Sequence, residues 1–127
     1  MLEKTKLLLE IKKSKIHGKG VFATEGIPKG SVVDRIAGRP QHYSSIPAGL
    51  LLRRSLEVSK DHYVVPAKGS VAWFLNHSDR PNCTYDISAR AITTTRKVPK
   101  GEELTLDYHE TTTWPGYAAL WKRGKPP

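Results

Sequence analysis

The chain has 127 residues and a formal net charge of +9, with 21 lysines and arginines against 12 aspartates and glutamates. This length fits a single domain, and a hydrophobic content of 38% is enough for one modest core. The mean hydropathy of −0.47 and the lack of any long apolar run exclude a transmembrane helix.

The predicted elements are many short strands separated by Gly- and Pro-containing turns. Strands are predicted over 7–12, 21–23, 31–36, 62–66, 85–87, 91–95 and 104–106. Short helices are predicted over 50–56 and 117–122, whereas periodicity alone does not separate a helix from a strand over 70–75. This pattern predicts a β-rich domain.

The cysteine and histidine content bears on metal sites and on compartment. The single cysteine, Cys83, excludes an intrachain disulfide and a cysteine-based zinc cluster, and no other residues have convincing metal-ligand spacing. The charged segment 1–13 has an apolar run too short for a secretion signal. We expect an intracellular protein, located in the cytoplasm, the nucleus or the nucleoid, and leave a secreted effector open.

The positive charge favours contact with phosphate backbones, acidic proteins and anionic surfaces. The lysines and arginines are spread along the chain, so a solvated basic surface explains them as well as a functional basic face does. A basic nucleic-acid-binding domain is therefore one alternative, although the aromatic residues do not form a clear base-stacking pattern.

Two segments place polar side chains directly after apolar ones. The run 71–75 leads into Asn76 and His77, and the strand-like run 103–106 ends on Asp107 and Tyr108. An unpaired buried polar group costs roughly 1–3 kcal/mol, so such groups need partners. A ligand is one such partner, and the two segments predict a binding site.

Three motifs in order resemble the SET domain of protein lysine methyltransferases. They are GKGVFA at 18–23, NHS with PNC at 76–83, and GEELTLDY at 101–108, and the match runs from about residue 8 to residue 108. The resemblance implies a mainly β fold of small curved sheets with a C-terminal pseudoknot and little helix. It implies one domain over 1–127, with a core at about 8–110, a variable insert at about 42–62 and an aromatic tail at 111–127.

The resemblance also implies methyl transfer from S-adenosyl-L-methionine to the side-chain amine of a protein lysine. That amine must be neutral to attack, although the pKa of free lysine is about 10.4. Desolvation and the sulfonium charge would favour loss of its proton, and a narrow channel would align the reacting atoms. The substrate would be a protein with an exposed lysine, histone-like or otherwise basic; a homodimer would suit so small a member, and nucleic acid would be only a secondary, charge-driven contact.

The family's cofactor-binding residues correspond to the first and second motifs. The resemblance places Gly18, Lys19 and Gly20 against the cofactor, where glycine lets the backbone approach closely, with a plain turn as the alternative. Asn76 and His77 match residues that bind the cofactor through main-chain and side-chain hydrogen bonds. The alternative is a pair that holds the knot together.

Aromatic residues are the candidates for catalysis and for covering the cofactor. Tyr108 matches the catalytic tyrosine and would also contact the cofactor; its role would be orientation, since a phenol with a pKa of about 10 is a poor base. Tyr85 is a second catalytic candidate, as a wall of the lysine channel or else a cross-strand packing residue. Trp114, and less strongly Trp121, would cover the adenine or else cap the core.

The tail after Tyr108 departs from the family pattern, because it lacks the zinc-binding cysteines found in many members. Aromatic residues or a second subunit would then complete the lysine channel. Glu102, Glu103 and Asp107 are expected to make structural hydrogen bonds. An inactive SET-like protein-interaction module is the other alternative, and the intact Asn76, His77 and Tyr108 argue against it.

Overall fold

The computed structural model describes residues 8–122, which form short strands and very little helix. The strands are β1 (Leu9–Lys13), β2 (Lys19–Ala23), β3 (Val32–Arg35), β4 (Gln41–His42), β5 (Leu56–Ser59), β6 (His62–Val64), β7 (Asn76–His77), β8 (Cys83–Asp86), β9 (Ala91–Thr94) and β10 (Glu103–Leu106). The helices are α1 (Ala48–Arg53) and α2 (Val71–Phe74), with 3₁₀ turns at Tyr43–Ser45, Tyr108–Thr111 and Ala118–Leu120. The mainly β class predicted from the sequence is confirmed.

The strands form three small sheets, and the largest brings the three sequence motifs together. Its strand order is β1-β2-β10-β7, with β10 antiparallel to β2 and parallel to β7. The last motif strand therefore lies between the first and second motifs. The other sheets have the orders β3-β9-β8 and β4-β6-β5.

The segment 42–61, unassigned from the sequence apart from the helix predicted over 50–56, has a mixed structure. α1 ends at Arg53, earlier than the predicted helix, because Leu56 begins β5 and pairs with Val64. Three consecutive residues of β5, from Leu56 to Val58, are buried. Strand β5 was not predicted because a four-residue strand that is buried on both faces shows no alternation.

The core holds β10 in position. Val21, Ile92, Val98 and Leu104 are fully buried in one cluster, to which β2, β9 and β10 each contribute. Burying one aliphatic side chain of this size stabilises the fold by roughly 1.5–3 kcal/mol. This packing fixes the direction of β10 and therefore the positions of Asp107 and Tyr108, which follow its last residue.

The predicted domain division extends beyond the residues that the structure describes. The single-domain division stays a prediction, and the part of the predicted tail from residue 123 onward lies outside the described residues. No helix within 8–122 combines the length and the apolar character needed to cross a membrane.

Candidate functional site

The first motif packs against a carboxylate of the third. Gly20 lies buried in β2, and a side-chain carbon added there would stand 2.8 Å from Cδ of Glu103 and 3.1 Å from Nδ2 of Asn76. Glu103 accepts hydrogen bonds from the hydroxyl of Ser14 at 2.8 and 2.9 Å. The group that packs against the backbone at Gly20 is thus the side chain of Glu103.

The side-chain amide of Asn76 fastens the turn before β2 to β10. Its Nδ2 donates to the carbonyls of His17 and Lys19 at 3.0 and 3.1 Å, and to Oε2 of Glu103 at 2.9 Å. Gly18 and Lys19 are exposed, and Gly18 adopts a positive φ of 45°. With Nδ2 engaged inside the protein and the main chain of Asn76 paired with β10, its Oδ1 is the group left for a ligand.

His77 and Leu75 hold both ends of Tyr108. Nδ1 of His77 accepts the main-chain N–H of Tyr108 at 3.1 Å, so the neutral ring carries its proton on Nε2. Burial lowers the pKa of His77, which keeps the ring neutral at pH 7. The hydroxyl of Tyr108 donates to the carbonyl of Leu75 at 2.7 Å, and burial raises the pKa of this phenol.

Asn82, whose role the sequence did not suggest, completes the hydrogen bonding of β10. Its Oδ1 accepts the N–H of Thr105 and its Nδ2 donates to the carbonyl of Glu103, both at 2.8 Å. Nδ2 also donates to Glu102, while Asp107 accepts the N–H of His109 at 2.9 Å. The buried amide of Asn82, with both ends paired, thus satisfies β10 as a neighbouring strand would. The carboxylates of Glu102 and Asp107 make structural hydrogen bonds, as expected.

Three cavities have overlapping linings, and Tyr108 lines two of them. The motif cavity has a volume of about 690 Å³, and its lining includes Arg53, Asn76, His77, Tyr108, His109 and Trp121. The tail cavity has a volume of about 570 Å³, and its lining includes Tyr43, Leu52, Tyr63, Thr112, Trp114 and Tyr117. A small cavity of about 20 Å³, which we call the constriction, shares Tyr108 and Arg53 with the motif cavity and Leu52 and Tyr117 with the tail cavity.

The two C-terminal tryptophans lie in different cavities. Trp121 makes an edge contact with His77, with 4.5 Å between ring centroids, and stacks on His109 at 4.2 Å. Trp114 is 49% exposed and lines the tail cavity. The structure therefore brings Trp121, and not Trp114, together with Asn76. The tail turns back after Trp114, and position along the chain alone could not show this.

Tyr85 lies apart from the cavity walls described above. Its side chain is 6% exposed, and its hydroxyl donates to the main-chain carbonyl of Glu57 at 2.6 Å. Burial raises the pKa of Tyr85 to about 12. The phenol links β8 to β5, and its catalytic role stays a prediction.

Glu57 anchors the tail, a role that the sequence did not reveal. The buried carboxylate accepts the N–H of Thr113 at 2.7 Å and its hydroxyl at 2.8 Å. The hydroxyls of Tyr63 and Thr112 are 2.6 Å apart beside it, and the hydroxyl of Tyr117 donates to Leu52 at 2.9 Å. Residues 111–117 of the tail thereby become a wall of the tail cavity.

The chemistry available to the remaining candidates is limited. Cys83 is fully buried, and burial raises its pKa to about 12, so the thiol is a poor nucleophile. Within residues 8–122 no group of three His, Cys, Asp or Glu side chains is arranged to hold a metal ion. What the site offers is two larger cavities, a small one that shares residues with both, and a neutral, firmly held phenol that lines the motif cavity and the small cavity.

Comparison with known proteins identifies a matching family and several relatives. The SET domain family model matches residues 18–109, from the turn before β2 to the residue after Tyr108. The H3 lysine-4-specific histone-lysine N-methyltransferase of Chaetomium globosum is 34% identical over 122 residues, which cover 84% of this chain and 11% of that protein. The histone-lysine N-methyltransferase trithorax of Drosophila virilis is 34% identical over 114 residues, covering 76% and 3% respectively.

The chain spans about a tenth or less of the length of these two curated relatives. Among solved structures, a candidate histone methyltransferase of Plasmodium falciparum aligns with a TM-score of 0.65 at 22% identity, covering 84% of this chain and 99% of that one. This likeness is one of fold.

Proposed function

Because the chain belongs to the SET domain family, we propose that it transfers a methyl group from S-adenosyl-L-methionine to the side-chain amine of a protein lysine. The observation that carries the proposal is the position of Tyr108 at a constriction between two cavities. A donor bound in one cavity and an amine entering from the other would meet at its hydroxyl.

The motif cavity fits a cofactor of this kind. Its volume of about 690 Å³ lies within the range of small-molecule sites, which runs from roughly 300 to 1,000 Å³. Trp121 offers an aromatic ring in this cavity, with 4.5 Å between its centroid and that of His77. We infer that Trp121, rather than Trp114, covers the adenine.

The remaining cofactor contacts follow from the groups left unused by the fold. His77 would contact the cofactor through Nε2, and Asn76 through Oδ1. Gly18 and Lys19 would offer main-chain N–H groups from the exposed turn, while Gly20 would act through the Glu103 contact. The cofactor itself supplies the electrophilic methyl group, and these residues bind and orient it.

Tyr108 would orient the reacting atoms rather than remove a proton. Its phenol stays protonated at neutral pH because burial raises its pKa. The 2.7 Å hydrogen bond to Leu75 fixes its direction, so its oxygen can accept a hydrogen bond from the amine. The narrow constriction would exclude water and align the amine with the methyl group.

The tail cavity would receive the substrate. Its aromatic lining, with Tyr43 and Trp114 about half exposed, suits an extended peptide segment next to the target lysine. The names of the relatives support a histone tail or a similar basic protein, and with it a nuclear or other intracellular location. A homodimer and a charge-driven nucleic-acid contact stay predictions.

The test is transfer of labelled methyl from S-adenosyl-L-methionine to histone-tail peptides, each paired with a Lys→Arg peptide as control. We expect label on lysine, and a loss of about 100-fold in Tyr108→Phe, which lacks only the hydroxyl. Cofactor affinity measured by calorimetry should change little in that variant. Tyr85→Phe in the same assay tests the second catalytic candidate.

Two outcomes would replace the proposal. Cofactor binding without transfer to any lysine would favour a protein-interaction module. An absence of cofactor binding, together with strong salt-dependent binding to nucleic acid, would favour the basic nucleic-acid-binding domain.

A further inference from the structure

The end of α1 places a fixed guanidinium at the constriction. Nη1 of Arg54 donates to the main-chain carbonyl of Trp73, and its guanidinium carbon lies 4.7 Å from the centre of the Trp73 ring. A planar guanidinium held by both a carbonyl and an aromatic face has little freedom to move. Arg54 is only partly exposed and lines the constriction together with Tyr108.

The guanidinium and the phenol are held by neighbouring carbonyls of the same segment. Arg54 binds the carbonyl of Trp73, and Tyr108 binds that of Leu75, two residues further on. The ion pair found within residues 8–122 joins Arg96 to Glu102, while Nδ1 of His77 and Nδ1 of His109 lie 3.7 and 3.0 Å from Oδ1 of Asp107. Arg54 therefore brings to this wall a positive charge that no carboxylate in that part of the chain pairs with.

The electric field in the constriction acts on the pKa of Tyr108. Burial raises the pKa of the phenol, and the positive charges of Arg54 and then Arg53 act against that rise. A field that favours a phenolate disfavours an ammonium at the same place, because both effects lower the pKa.

We propose that Arg54 keeps the substrate amine neutral in the constriction by holding a permanent positive charge beside the Tyr108 hydroxyl. The amine would give up its proton to solvent as it enters the constriction and keep the lone pair that attacks the methyl carbon, whose bond to sulfur breaks with the electron pair left on the sulfur. This inference rests on the proposed methyl transfer, and it assigns to this chain a residue that acts on the amine through charge.

The other charged and titratable groups around the constriction modify this field without reversing it. They are Arg53 on α1, Glu103 and Asp107 at β10, His77 on β7, and Tyr117 in the tail. Arg53 adds charge of the same sign. Glu103 is negative, but hydrogen bonds from Ser14 and Asn76 already stabilise its carboxylate.

A purely structural role would make Arg54 a link between α1 and α2, so the test must separate charge from packing. Arg54→Gln keeps an amide that can donate to Trp73 and loses the charge. Arg54→Lys keeps the charge and loses the planar group. The measurement is the single-turnover rate of methyl transfer against pH, with saturating cofactor and peptide.

We expect the acid limb of the profile to move upward by about one pH unit or more in Arg54→Gln, and far less in Arg54→Lys. At neutral pH the Gln variant would then be about tenfold slower. An unchanged limb in Arg54→Gln, or an equal shift in both variants, would overturn the proposal.

A second measurement needs neither cofactor nor peptide. Carbon NMR of labelled tyrosine, assigned with Tyr108→Phe, follows the titration of Tyr108 in each protein. Its pKa should rise in Arg54→Gln and stay close to wild type in Arg54→Lys; no rise would sink the inference even if methyl transfer is observed. If the wild type transfers no methyl group, but the pKa of Tyr108 rises in Arg54→Gln, then the failure lies in the proposed function. If Arg54→Gln does not fold, Arg54→Met serves in both measurements.

Discussion

The main-chain N–H of Tyr108 donates to Nδ1 of His77 at 3.1 Å, and this bond joins the second motif of the chain to the third. The hydroxyl at the other end of Tyr108 reaches back to the carbonyl of Leu75. One short segment therefore holds the phenol at both ends. A change at His77 acts on Tyr108 as well as on any ligand that the ring itself contacts.

His77 should make the stability of the fold depend on pH. Burial lowers its pKa, so below about pH 6.5 the unfolded chain binds a proton that the folded chain resists. The contribution of His77 to the free energy of unfolding is complete above that pH, and it is lost as the pH falls through the pKa of His77 in the folded state. His77→Asn, whose Oδ1 can still accept the Tyr108 N–H, should show a flatter dependence in urea unfolding between about pH 7.5 and about pH 5. Equal slopes in the two proteins would contradict this.

The tryptophans should separate cofactor binding from substrate binding. Trp121→Ala removes the ring beside His77 and should weaken cofactor affinity by roughly 1–3 kcal/mol, the contribution of one stacked base. Trp114→Ala should leave cofactor affinity unchanged and raise the KM for peptide, because Trp114 lines the other cavity. Calorimetry with cofactor alone measures the first effect. The opposite ranking of the two variants would restore Trp114 as the cofactor residue.

Glu57→Gln should detach the tail. The carboxylate accepts the N–H and hydroxyl of Thr113, and a buried amide would turn a donor toward these donors. We expect a loss of about 1–3 kcal/mol in the free energy of unfolding and faster hydrogen exchange over 111–117. Glu110→Gln is the matched control, because Glu110 is exposed and accepts only from Thr84 among the described contacts. Unchanged exchange in Glu57→Gln would show that the tail is held by other contacts.

Gly20→Ala should displace a carboxylate. The new methyl group would stand 2.8 Å from Cδ of Glu103 and would push it away from Ser14 and Asn76. Such overpacking costs about 1–3 kcal/mol, which thermal or urea unfolding would detect. Gly26→Ala is the control, because a methyl group there meets no atom within 4 Å. Similar stabilities of the two variants would argue against the contact.

Some structural features could be predicted because they are local. The apolar run of β10, the turns closed by glycine and the polar ends at Asn76 and Tyr108 are visible in the residue order. The order of the three motifs identified the SET family, and the family match confirms it. The contacts of Glu57 and Asn82 could not be predicted in this way, because each depends on residues more than 20 positions away.

The sequence by itself determined the fold class, the family and the position of the central phenol, Tyr108, because strand and turn preferences act over a few residues. The tertiary structure decided which distant groups meet there. It placed Trp121 rather than Trp114 beside His77, packed the side chain of Glu103 against the backbone of Gly20, and placed Arg54 at the constriction. Packing of the core and pairing of buried polar groups select these contacts, and both depend on the whole chain being folded.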